Sequence, residues 1–171
     1  MRIISGPSVA IVKATPCSTK ARKVARNAGL GVTIHVGEEG EEHGDAEIGE
    51  VVEHLRPDRI GHGILAARNP ELMSALRKQE IVLEICPTSN LLTRALADED
   101  ALRTTFRAFV EHGVPFTIAT DGPEMMHTHL RDEFALLLRT GALDEEELRQ
   151  ANARGHAASF IRAAGRLQAI S

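Results

Sequence analysis

The sequence predicts an α/β protein built around a parallel sheet. Three observations point there. Segments of β-forming residues alternate with segments of helical period along most of the chain, the order that βαβ units give. Ile81-Val82-Leu83-Glu84-Ile85 is a nearly continuous apolar run, as expected of a strand covered on both faces. The residues able to do chemistry, His35, Glu38, His62 and Asp121, fall where strand-like segments stop, and functional groups gather at that end of a parallel sheet.

Residues 1–16 yield one short expected strand, because Gly6, Pro7 and Pro16 interrupt the apolar Ile3, Ile4, Val9, Ile11 and Val12. From Ser18, Ala21, Val24, Ala25 and Ala28 recur at helical spacing among basic residues, and Gly29 supplies a stop. Val32 to Val36 is a strand of β-favouring residues, followed by Gly37 for a tight turn. A polar run, Glu38 to His43, then leads into a helix over 45–55 with Ile48, Val51, Val52 and Leu55 on one face. Arg59-Ile60-Gly61-His62-Gly63 is a second short strand, and Pro70 opens a helix carrying Leu72, Met73 and Leu76. Cys86-Pro87-Thr88-Ser89-Asn90 turns the Ile81–Ile85 strand into a loop. Residues 100–112 form an amphipathic helix through Leu102, Phe106 and Val110, and 114–119 a last strand ending in Thr120-Asp121-Gly122-Pro123. Helices over 128–139 and 144–164 close the chain, with Asp144 and Glu147 spaced as a capping box. This order implies right-handed crossovers; a barrel wall and an open doubly wound sheet both accommodate it.

Composition narrows the partners. A net charge of −4 and a pI near 6.1 leave no basic footprint for nucleic acid, and the absence of Trp and Tyr removes the usual stacking platforms. No apolar run approaches the roughly 20 residues of a membrane span, and the segment from Met1 to Pro7 is too short for a signal peptide. A cytoplasmic protein with no nucleic-acid or membrane partner is expected. Cys17 and Cys86 make neither a disulfide framework nor a zinc-finger spacing. At 171 residues, one domain over 1–171 is expected, and without a Gly-rich phosphate loop a nucleotide-phosphate site is not.

The candidate site starts at His35. A strand that ends in a Gly turn can aim His35 and Glu38 at one point, supplying a metal ligand and a proton carrier; the alternative is a histidine held by hydrogen bonds at a strand end. Glycines on both sides of His62 suggest close approach to another group. Asp121 can be a ligand, a helix cap or part of an Asp-Gly-Pro turn. Glu84, inside an apolar strand, needs a partner. Met125 and Met126 read as packing residues. His127-Thr128-His129 has ligand-pair spacing, but on a helix the two rings point about 200 degrees apart.

Taken together, His35-Val36-Gly37-Glu38, Arg59-Ile60-Gly61-His62-Gly63, Glu84-Ile85-Cys86-Pro87-Thr88-Ser89-Asn90 and Thr120-Asp121-Gly122-Pro123 resemble the motifs of the adenosine deaminase family, in the family's order, over about residues 24–160. The resemblance implies a metal-dependent (β/α)8 barrel of the amidohydrolase superfamily, with these motifs on strands five to eight, so that the chain is a partial TIM barrel. It implies zinc, with His35 and Asp121 as ligands. It implies that Glu38 passes a proton to the purine ring nitrogen beside the amine-bearing carbon, and that His62 orients and deprotonates the water on the metal. The implied reaction is hydrolytic deamination of a purine nucleoside such as adenosine, releasing ammonia.

Three departures accompany the resemblance. The family carries a His-x-His pair that supplies two further zinc ligands, and no histidine precedes residue 35 here; one ion per complete site is implied, and this chain holds part of that site. Gly122 occupies a substrate-binding position where typical members have a second aspartate that bonds the purine's imidazole nitrogen, which leaves another 6-aminopurine, such as aminodeoxyfutalosine, as an alternative substrate. A complete barrel takes about 250 residues, so a non-catalytic half-barrel, as a fragment or decayed paralogue, is the rival expectation, as is an amidohydrolase acting on another ring amine or an ester. Exposed strand edges in such a half would favour a homo-oligomer.

Overall fold

Side chains alternate across a strand, so Val32, Ile34 and Val36 must face one side of theirs while Thr33 and His35 face the other. The computed structural model, which describes residues 9–13, 18–38 and 44–161, shows the three aliphatic residues buried and His35 exposed. The strands are β1 (Val9–Lys13), β2 (Gly31–Val36), β3 (Arg59–His62), β4 (Val82–Ile85) and β5 (Phe116–Ile118). All neighbours pair in parallel, in the order β1-β2-β3-β4-β5. A doubly wound sheet reverses its strand order at a switch point; this sheet runs in chain order without one, as the wall of a barrel does.

The helices are α1 (Ser18–Asn27), α2 (Gly44–Glu50), α3 (Pro70–Lys78), α4 (Pro87–Leu92), α5 (Glu99–His112), α6 (Pro123–Met126), α7 (Leu130–Arg139) and α8 (Glu145–Ala157). The core forms where their apolar stripes meet Ile34, Ile60, Leu83 and Ile85 of the sheet, all at most 1% exposed. Phe106 of α5 packs edge-on against Phe116 of β5, with ring centroids 5.4 Å apart, a favoured aromatic geometry.

The opposite face of the sheet is polar. Register places Thr33 beside Arg59, and Gly61 beside both His35 and Glu84. There Glu84 finds its partners: Thr33 Oγ1 donates to Oε2 at 2.8 Å, and Arg59 Nη1 lies 3.2 Å from Oε1. Arg59 in turn lies under the Phe160 ring, 3.9 Å from its centroid. A Cβ on Gly31 would fall 2.3 Å from that ring, so Phe160 seals the start of β2 only because residue 31 is glycine.

Four expectations need correction. Residues 87–92 are a helix, α4, rather than a loop; six residues are too few to display a helical period, while Pro87 suits a first turn. The helix expected over 45–55 changes winding at Val51, where a π-helical turn runs to Leu55 and closes on left-handed Arg56. The last helix ends at Ala157, and Phe160 turns in against Gly31 and Arg59 instead of continuing the spiral. Met125 is 79% exposed, so it is not a packing residue. The acidic run 39–43, Cys17 and the end of the expected last helix, 162–164, lie outside the described residues.

Candidate active site

Gly37 sets the site's geometry. Its φ is +76°, and a Cβ there would lie 2.4 Å from Ile48 Cδ1 and 3.2 Å from the Gly63 Cα. Only glycine allows the β2 turn to lie this close to the end of β3. The turn carries Glu38 back over the strand ends. Glu38 Oε2 sits 3.2 Å from His35 Nε2 and 3.4 Å from His62 Nε2, and the two imidazole rings are 4.6 Å apart, edge to face. One donor atom from each of the three residues falls within 4.8 Å of the other two.

His62 reaches this point by leaving the strand pattern. It pairs in register with Val36, so an extended backbone would send its side chain to the helix-covered side. Instead its φ is +61°. Six described non-glycine residues have positive φ. Four of them, Arg56, Glu80, Arg94 and His127, follow helices, where left-handed closure is ordinary. The other two are His62 and Asp121, at strand ends, where such a backbone costs about 1–3 kcal/mol and must be held by its surroundings. Burial pushes the His62 imidazole below its ordinary range, with Glu38 and Asp121 pulling the other way.

What holds these residues is α4. Ser89 Oγ donates to Asp121 Oδ2 at 2.9 Å, Asn90 Nδ2 lies 2.8 Å from His62 Nδ1, and Thr93 Oγ1 donates to Glu38 Oε1 at 3.4 Å. One short helix and its C-cap thus touch three of the four expected chemical groups. The helix is itself anchored by Glu133 of α7, fully buried, which accepts from Thr88 N at 2.9 Å and from Thr128 Oγ1 at 3.0 Å. Sequence reasoning assigned no role to Ser89, Asn90, Thr93 or Glu133. The one available signal was Thr88-Ser89-Asn90, three hydrogen-bonding side chains in a row immediately after a buried strand.

Asp121 lies on the same rim but outside the His35–Glu38–His62 group. Gly122 precedes α6 with φ −111°, and a Cβ there would meet only Met125, at 3.7 and 3.9 Å; neither conformation nor space demands glycine. His127 closes α6 and His129 precedes α7, so the pair sits between helices rather than on one. Beneath the rim, Cys86 is buried, and burial followed by the Asp121 carboxylate pushes its thiol up to about 12. Iodoacetamide at pH 8 is therefore expected to leave Cys86 unmodified in the folded chain and to alkylate it in urea, as peptide mass spectrometry would show; rapid native alkylation would contradict this packing.

Residues 11–171 match the family model described as adenosine deaminase. The chain belongs to the adenosine deaminase family. It is 36% identical over 138 residues to the adenine deaminase of Chelativorans sp. (strain BNC1), covering 81% of this chain and 41% of that protein. It is 37% identical over 163 residues to the aminodeoxyfutalosine deaminase of Streptomyces coelicolor, covering 95% of this chain and 40% of that protein. A zinc-bound amidohydrolase from Burkholderia ambifaria superposes with a TM-score of 0.71 at 25% identity, over 85% of this chain and 40% of its own. The chain spans about two-fifths of the length of these curated relatives. Its five-stranded sheet is part of a family barrel, with the His35, Glu38 and His62 cluster on the rim at the strands' C-terminal ends.

Proposed function

We propose that this chain forms part of a zinc-dependent hydrolase that removes the 6-amino group of a purine nucleoside, such as adenosine, as ammonia. What supports the reading most is the convergence of His35, Glu38 and His62, two imidazoles and a carboxylate from two strands, at a rim built by costly backbone geometry. Nitrogen and carboxylate donors suit zinc, and His35 and Asp121 are the residues that would hold it. Bound there, zinc would supply a Lewis acid that acidifies the attacking water. Glu38 delivers a proton to the ring nitrogen beside the amine-bearing carbon, so that negative charge does not accumulate on the purine as water adds. His62, buried and backed by Asn90, orients that water and takes up its proton. Gly122 places no hydrogen-bonding side chain against the imidazole half of the base, which keeps adenine and aminodeoxyfutalosine as alternative substrates.

A non-catalytic half-barrel is the second reading, and the observation favouring it is that Asp121, one of the two proposed ligands, lies outside the His35–Glu38–His62 group. Ammonia release from adenosine, adenine and aminodeoxyfutalosine, measured with and without zinc, separates the two. Slow zinc-dependent release from one of them is expected, because two protein ligands hold the ion weakly. No release above the metal-free control from any of the three would favour the non-catalytic reading.

A further inference from the structure

A second cleft opens at the N-terminal ends of β2, β3 and β4, beside Gly31, Arg59 and Val82, with a volume of about 1210 Å³. It lies at the opposite end of the strands from the His35–Glu38–His62 rim. Its walls are α1, the turns that lead into the three strands, and the chain from Ala157 to Phe160.

The charge of this cleft is opposite to that of the chain. Five cations line it, Arg22, Lys23, Arg26, Arg56 and Arg59, against two acids, Asp58 and Glu80, whereas the whole chain carries −4. Two of the cations are engaged: Arg26 Nη2 lies 3.0 Å from Asp58 Oδ1, and Arg59 Nη1 lies 3.2 Å from Glu84 Oε1. Arg22, Lys23 and Arg56 have no salt-bridge partner among the described residues. Like charges gathered in a cleft repel one another, and a bound anion relieves that cost.

Hydrogen bonding gives an independent sign. Arg22 Nε and Arg59 Nε are both buried without a hydrogen-bond partner among the described residues, and both side chains line this cleft. A buried N–H without an acceptor is costly and calls for one. Guanidinium groups match phosphate oxygens in both geometry and charge. Arg22 and Arg26 stand about 6 Å apart along α1, and Arg56 and Arg59 flank the turn into β3. Two linked phosphates therefore reach more of these cations than one does.

We propose that this cleft binds a diphosphate group, free or carried by a nucleotide, with Arg22, Arg56 and Arg59 as its principal contacts. Guanidinium side chains take the place of the Gly-rich loop that a phosphate site otherwise uses. The site is separate from the deamination reading and does not rest on it.

Isothermal titration calorimetry of the full chain with pyrophosphate, ADP and sulfate, at matched low ionic strength, tests the proposal. Saturable binding of pyrophosphate, ADP or both is expected. It should weaken about tenfold or more when Arg22→Gln and Arg56→Gln are combined, and stay unchanged in Arg131→Gln, an exposed arginine of α7 outside the cleft. Tighter binding of ADP, with the same loss in the double variant, assigns the diphosphate to a nucleotide; equal or weaker binding of ADP assigns it to the free ion. No saturable binding of either, equal affinity for sulfate, or an affinity unmoved by the double substitution would overturn the proposal. If the double variant does not fold, Arg56→Gln alone, at an exposed side chain, decides by the same comparison.

Discussion

Glu38→Gln is expected to lower the rate of ammonia release from the zinc-loaded chain by about 10²- to 10⁴-fold, the contribution of a well-placed proton carrier. The substitution preserves shape and leaves an oxygen for Thr93 to donate to, as it does to Glu38 Oε1 at 3.4 Å. What it removes is the carboxyl group that can release and regain a proton beside His35 and His62. The loss should therefore fall on kcat, with KM little altered and zinc affinity retained, since the ion is assigned to His35 and Asp121. Steady-state ammonia assays paired with zinc titrations would test this. A variant that kept wild-type kcat would remove Glu38 from the chemistry.

Glu133→Ala is expected to cost about 3 kcal/mol of stability, since it deletes two hydrogen bonds to a buried carboxylate and strands their donors. Those donors are Thr88 N and Thr128 Oγ1. The first opens α4, so the damage should spread to the contacts that α4 makes with Asp121, His62 and Glu38. Urea unfolding would give the size of the effect, and faster native alkylation of Cys86 would report the loosening of α4. Glu146→Ala, at an exposed position on α8, is the control, expected to shift stability by less than about 0.5 kcal/mol. Equal effects from the two substitutions would mean that Glu133 does not anchor α4.

These expectations draw on different levels of legibility. Glu38 was visible from sequence because a strand ends in a histidine, a glycine and an acid within four positions, 35–38, and such local order dictates local geometry. Glu133 was not visible. On paper it is one more charged residue on an amphipathic helix, and its burial results from where α7 lands on α4. The partner of Glu84 was hidden for the same reason: Thr33 is 51 residues away, and only sheet register joins them. Asn90 stands in plain view in Cys86-Pro87-Thr88-Ser89-Asn90, yet the helix that aims it at His62 is too short to show a period.

The alternation of strand and helix patterns settled the α/β class, because periods of 2 and 3.6 are written into the chain itself. The same reading found the rim residues, because they follow directly on strand ends. Tertiary structure alone decided which groups meet. The left-handed backbones at His62 and Asp121, the displacement of Asp121 from the His35–Glu38–His62 group and the grip of α4 all depend on contacts between residues far apart in the chain. Such contacts leave no periodic trace in sequence, since their cost is met by packing rather than by local preference.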